Sequence, residues 1–203
     1  MKEMFLNKSI NLLNRQYNYD NDTLDRVRYG LEVLYISITK ISVILILSLL
    51  FKTFKETLIT IIFANFIRTF AYGLHAKRSW HCYVSSIFAF ILMPYIFINI
   101  NFNMTEKIVL SILTLLSIIL YAPADTYKRP LINKKHRLKL KINSILVTIL
   151  YIVLIFIIKD KIINLILLSL IIQSMLINPF IYKIFDLPYD NYKSYKKDCN
   201  MQK

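Results

Sequence analysis

The feature that most constrains this chain is a succession of long apolar runs separated by short polar gaps. Six can be marked, at about 31–51, 56–74, 82–100, 107–123, 142–158 and 162–182. Each approaches the ~20 residues that carry an α-helix across ~30 Å of hydrocarbon. Inside lipid the main-chain polar groups of a segment must be satisfied internally, so runs of this length read as helices. The last two are the most continuous, divided only by Lys159-Asp160-Lys161. Of 203 residues 56% are hydrophobic, against roughly 45–50% apolar in a soluble domain, and mean hydropathy is +0.49. Two glycines and five prolines exclude collagen-like and disordered classes. The expectation is an all-α polytopic membrane protein of about six transmembrane helices.

The segment before the first run is polar, with apolar residues at partial helical spacing: Phe5, Leu12 and Leu13, then Leu24, Val27 and Leu31. Asp22 or Thr23 is placed to cap the second piece. Two short amphipathic helices lying on the membrane surface are expected here, the alternative being a loose soluble tail. With no apolar h-region in the first 30 residues, no signal peptide is expected, and insertion would use the internal spans. The organisation expected is therefore 1–29 as amphipathic surface helices, 30–183 as a six-span transmembrane domain and 184–203 as a charged tail.

Net charge is +14, which in a soluble protein raises nucleic-acid binding. Here the cations follow topology instead. Of 26 lysines and arginines, only Lys52, Lys55, Lys107, Lys159 and Lys161 fall in one alternate set of gaps. Lys40 and Arg68 lie within runs, and all the others lie in the N-terminal segment, the gap at 75–82, the 124–141 loop and the tail. That asymmetry puts both termini, and the 75–82 gap, on the cytoplasmic side. Tyr35, Trp80, Tyr83, Tyr95, Tyr121 and Tyr182 sit near run ends, as an aromatic belt does. Two cysteines, one in the charged tail, make no disulfide framework.

The gap "RTFAYGLHAKRSWHC", Arg68 to Cys82, gathers two of the three histidines and one cysteine. A thiolate is the nucleophilic form of cysteine, and an imidazole or a helix N-terminus produces it. His75 and Cys82 are seven apart, so on one straight helix they would be ~10.5 Å apart along the axis, too far for a base at ~2.6–3.2 Å. If they act together, the helix must break between them. Gly73 is placed to end the second span, and Ser79 to cap the third, leaving Cys82 in its first turn, in the positive end of the helix dipole. His81 is a rival base, but adjacent helical side chains diverge. The bland alternative is a small apolar cysteine beside interfacial histidines. His75, His81 and Cys82 supply three metal ligands without an evident fourth, since Cys199 is remote; no metal and no cofactor is expected.

Arg68, Tyr72 and His75 share a helix face at steps of four and three. Arg68 is either a functional cation within the membrane or a side chain reaching the interface. In the loop "YAPADTYKRPLINKKHRLKLK" from Tyr121, Pro123 and Pro130 stop helices. Asp125 either caps a turn or orients a histidine as a third catalytic group. Lys134, Lys135 and Arg137, with their basic neighbours, anchor topology and also offer a docking surface for anionic headgroups or an acidic peptide.

Arg68, the Gly-x-His-Ala core at Gly73 to Ala76, Cys82 seven positions after His75, and "APAD" with "KRP" between Ala122 and Pro130 together resemble the accessory gene regulator B (AgrB) family of membrane peptidases. The likeness covers nearly the whole chain. One position departs: the family has two glycines before x-His-Ala, and Tyr72 takes the first place. The resemblance implies a cysteine endopeptidase of a Gram-positive cytoplasmic membrane, with Cys82 as nucleophile and His75 as general base. Its partner would be a quorum-sensing precursor peptide with an amphipathic leader and an acidic C-terminal tail. The enzyme would remove that tail through a thioester and support closure of a thiolactone or lactone ring. Membrane lipids and a homodimer complete the partners implied; nucleic acid does not belong among them. The competing class is a non-catalytic transporter or scaffold for peptide export.

Overall fold

The apolar runs fold as helices whose ends differ from those composition suggests. The computed structural model describes residues 2–17, 20–74, 79–126, 131–158, 160–189 and 191–192, with the main chain alone at 2, 14–17, 21, 22, 26, 29, 33, 79, 81 and 82. In order come α1 (Lys2–Tyr17), α2 (Asn21–Leu50), α3 (Phe54–Ala71) and α4 (Ser79–Ile87). A π-helical turn (Phe88–Leu92) carries α4 into α5 (Met93–Asn99). Then follow α6 (Met104–Tyr121), α7 (Lys134–Ile157), α8 (Ile163–Ile177) and α9 (Pro179–Ile184). No strand occurs among the described residues; Tyr72 and Ala124 form an isolated parallel bridge.

Among the described residues three helices are long and apolar enough to cross a membrane: Thr23–Leu50, Met104–Tyr121 and Lys134–Ile157. Tyr83–Asn99 and Ile163–Ile177 are shorter apolar helices. Six runs in the sequence therefore give three helices of full spanning length and composition. The last run shows why. Pro179 has no N–H, and the residue before a proline is driven from helical geometry. Asn178 is accordingly extended, and its side chain accepts from the Phe180 N–H at 2.9 Å. α8 is left with 15 residues, about 22 Å at 1.5 Å per residue. α3 is long enough but carries Lys55, Glu56 and Arg68.

The chain divides into two compact units, Met1–Leu47 and the part from Ser48 onward. In the first, Leu6 of α1 is buried, the Phe5 and Tyr35 rings lie 5.5 Å apart, and Arg28 pairs with Glu3 at 3.0 Å. Both partners of that ion pair are exposed, so it contributes little. α2 runs unbroken through Gly30. The second surface piece and the first apolar run expected from sequence are thus one helix, since a mid-helix glycine costs only about 1 kcal/mol against alanine.

In the second unit α8 is the central helix. It is buried on every side from Ile163 to Leu170 and packs against α3, α5, α6, α7 and α9. A helix apolar all round is an interior helix. Its neighbours bury one stripe each: Thr57, Thr60, Ala64, Ile67 and Ala71 on α3, Ser111, Thr114 and Ile118 on α6, and Leu140, Ser144, Thr148, Tyr151 and Ile155 on α7. The spacings of three and four set one face of each helix inward. Small residues on these stripes permit close approach where lipid removes the hydrophobic drive, while the Thr60, Thr114, Ser144 and Thr148 hydroxyls donate to carbonyls of their own helices. Tyr151 donates to the Phe63 carbonyl at 2.9 Å, and Ser169 to that of Thr60 at 3.4 Å.

Candidate active site

The C-terminal ends of α3, α6 and α8 and the start of α7 meet at one end of the second unit, and there the chain becomes extended. α3 stops at Ala71. Tyr72 takes φ 56° and ψ −143°, a conformation that L-residues avoid and glycine adopts freely. It stands at the position where the resembled family has glycine, so Tyr72 departs from the pattern in residue type while holding a glycine-like backbone. Gly73 follows at φ 131°. A Cβ there would lie 3.0 Å from the Leu176 carbonyl oxygen and 3.3 Å from the Leu176 Cβ. Glycine is needed at 73 for both torsion and space.

Five hydrogen bonds fix the residues just before His75. Gln173 Nε2 donates to the Tyr72 carbonyl at 2.7 Å. The Gly73 N–H donates to the Ala124 carbonyl at 3.0 Å, and the Ala124 N–H returns a bond to the Ala71 carbonyl at 3.1 Å. The Leu74 N–H donates to the Leu176 carbonyl at 2.9 Å, taking up an acceptor that the end of α8 would otherwise leave unpaired. Arg68 Nη2 donates to the Leu74 carbonyl at 2.9 Å. Arg68 therefore reaches forward over the helix end and holds the residue that precedes His75.

His75, Ala76, Lys77 and Arg78 lie outside the described residues, as do the side chains of Ser79, His81 and Cys82. The described main chain ends one residue before His75 and resumes at Ser79. His75 follows the clamped segment, and Cys82 lies in the first turn of α4, which begins at Ser79 itself. Among the described residues no three His, Cys, Asp or Glu side chains gather as a metal ion would need.

Asp125 is 3% exposed and follows Ala124 directly. Its Oδ2 accepts from the Tyr192 N–H at 2.9 Å and the Leu131 N–H at 3.3 Å. Its Oδ1 accepts from the Asn191 N–H at 3.0 Å and Asn191 Nδ2 at 3.5 Å. Its carbonyl accepts from the Tyr182 hydroxyl at 3.3 Å. Lys134 and Lys135 are exposed in the first turn of α7, where Asn133 caps the helix by accepting from the Lys135 and His136 N–H groups. Cations in a first turn oppose the helix dipole, so helix stability does not explain them. Arg137 lies over the Tyr192 ring, 3.7 Å from its centroid. Lys128, Arg129 and Pro130 of the loop, and Cys199 of the tail, fall outside the described residues.

Residues 6–177 match the family model for accessory gene regulator B. The chain belongs to the accessory gene regulator B family. An accessory gene regulator protein B from Staphylococcus aureus strain JH9 is 37% identical over 142 residues, covering 70% of this chain and 75% of the relative. The protein of that name from Staphylococcus intermedius is 37% identical over 138 residues, 68% and 73% of the two chains. An AgrB-like protein of Clostridium acetobutylicum is 34% identical over 138 residues, 68% and 66%. No solved structure matches the chain. Sequence reasoning singled out Arg68, Tyr72, Gly73 and Asp125, which the fold brings to one end of the unit. It missed Gln173, whose signal was a lone amide inside the run SLIIQSMLI, and Asn191.

Proposed function

We propose that this member of the accessory gene regulator B family is a membrane cysteine endopeptidase that processes a quorum-sensing precursor peptide. Cys82 is its nucleophile and His75 its general base. The observation that supports this reading is the hydrogen-bonded, non-helical segment from Tyr72 to Leu74, which directly precedes the histidine in the chain, with the cysteine following in α4. Family membership over most of the chain supports the same assignment.

The Cys82 thiolate attacks the scissile carbonyl, and His75 holds the thiol proton. The peptide bond breaks, His75 protonates the departing amine, and the C-terminal tail leaves. The remaining peptide is held to Cys82 as a thioester. A cysteine or serine of that peptide gives its proton to His75 and attacks the thioester, which closes a thiolactone or lactone and releases the Cys82 thiol. A site drawn against the bundle limits competing water.

In the same reading the chain crosses the cytoplasmic membrane six times, with both termini and the site on the cytoplasmic side. The α1 segment lies along the surface near the amphipathic leader of the substrate, and Lys134 and Lys135 meet its acidic tail. Replacing both lysines by glutamine should raise KM for the precursor several-fold, an effect in line with exposed charges at a docking rim. An unchanged KM removes them from docking. Arg137 is left intact in that experiment because it also holds Tyr192.

The test of the reaction is cleavage of a co-reconstituted precursor by the unaltered protein, His75→Ala and Cys82→Ala. Tail release should disappear in both variants at equal protein level. Release that persists in Cys82→Ala returns the protein to the transporter or scaffold class.

A further inference from the structure

The buried carboxylate of Asp125 is more than a turn cap, because of what it joins. A carboxylate removed from water is costly unless its oxygens are hydrogen-bonded. Here both oxygens are occupied, and three of the four donors come from Asn191 and Tyr192, near the other end of the sequence. Such charge-assisted bonds are shorter and stronger than neutral ones. The clasped segment is not loosely attached. Leu187 and Tyr189 pack on the buried core, the Tyr189 ring lies 5.1 Å from that of Tyr182, Asn191 is buried, and Arg137 covers Tyr192.

The same short stretch of chain is bonded to the segment that precedes His75. Ala124, one residue before Asp125, exchanges main-chain hydrogen bonds with Ala71 and Gly73. The carbonyl of Asp125 is held by Tyr182. The side chain of Asp125 thus grips the C-terminal segment while the backbone beside it grips the segment that precedes His75. Moving one moves the other, since a two-residue stretch has little internal freedom when both its ends are bonded.

We propose that Asp125 is a positioning residue for acyl transfer, and that Asn191–Tyr192 is a working part of the site. This rests on the peptidase reading above. It assigns Asp125 no contact with substrate and gives the C-terminal segment a mechanical role.

The experiment uses the full chain in proteoliposomes with its precursor, and compares Asp125→Ala, Asp125→Asn and Asn191→Pro. The asparagine keeps one acceptor oxygen. The proline removes both donors to Oδ1 from the other side of the clasp. With rates expressed per folded molecule, kcat should fall about tenfold or more in Asp125→Ala, as a small misplacement of reacting groups permits. It should fall by less in Asp125→Asn and Asn191→Pro, with KM within about twofold throughout, because substrate docking is untouched. Should Asp125→Ala fail to fold, the other two variants decide. A kcat within twofold of the unaltered protein in the folding variants overturns the proposal, and so does a loss confined to KM. Cys82→Ala runs alongside. If it still cleaves, the cysteine mechanism has failed; if it is inactive while the Asp125 variants turn over normally, only the positioning role has.

Discussion

The two ends of the helical unit from Ser48 onward solve different problems. At one end, helices are joined by turns: Lys52 and Thr53 between α2 and α3, residues 100–103 between α5 and α6, and the stretch from Ile158 between α7 and α8. Asn164 secures this end by donating to the carbonyls of Phe97 and Ile100 at 3.0 and 2.8 Å. A cavity of about 450 Å³ opens beside it, bordered by Asn101, Lys107, Asp160 and Lys161. At the other end, the chain does not simply reverse. Tyr72 to Leu74 and Ala122 to Asp125 run non-helical and exchange main-chain bonds, and Asn191–Tyr192 donate to the Asp125 carboxylate. Reversal needs few fixed atoms, whereas chemistry between groups on separate elements needs many. The difference marks the second end as the one built to hold geometry.

The sharpest way to break the comparison is Gly73→Ala. The new Cβ would meet main-chain oxygen at 3.0 Å at a φ of 131°. Processing should be abolished and the folded state destabilised by about 1–3 kcal/mol, read by precursor cleavage and by thermal unfolding in detergent. Gly30→Ala, with nothing within 4 Å of its Cβ, should stabilise α2 by roughly 0.5–1 kcal/mol. If the two glycines behave alike, the packing argument at Gly73 is wrong.

A second comparison removes one amide from each end. Gln173→Leu strips the Tyr72 carbonyl of its side-chain donor, and Asn164→Leu strips those of Phe97 and Ile100. Each should cost about 1–3 kcal/mol of stability through the hydrogen bonds removed. Only Gln173→Leu should lower kcat per folded molecule, because only Gln173 holds the segment before His75. Equal kcat losses in the two variants would erase the distinction between the ends.

The smallest effect sharpens the comparison. Tyr72→Gly relieves a positive φ in a non-glycine residue and should raise stability by about 1 kcal/mol. A fall in stability would mean that the Tyr72 side chain contributes more than its backbone costs.

Much of this end could be read from the sequence. Gly73 announced the end of a helix, a cysteine stood seven positions after a histidine, and Arg68 stood out in an apolar run. These signals are local, carried by residue type and spacing. The clamp was hidden because its partners are distant: Gln173 lies about a hundred residues from Tyr72, and Asn191 lies 66 from Asp125. Helix ends were the other weak point. The basic start of α7 is polar enough to read as loop, yet Asn133 caps it and the helix begins at Lys134. The first run extends backward through Gly30, because a single glycine does not stop a helix. What composition cannot show is which polar residues in an apolar helix face another segment, and in this chain those residues set the geometry.

The central claim is that Cys82 carries the peptide as a thioester. Intact-mass measurement of the reconstituted protein, quenched in acid during turnover of its precursor, tests it most directly. The account predicts an added mass equal to the precursor without its tail, located at Cys82, released by hydroxylamine and missing in Cys82→Ala. Tail cleavage with no such adduct at any time, or an adduct that survives Cys82→Ala, would contradict it.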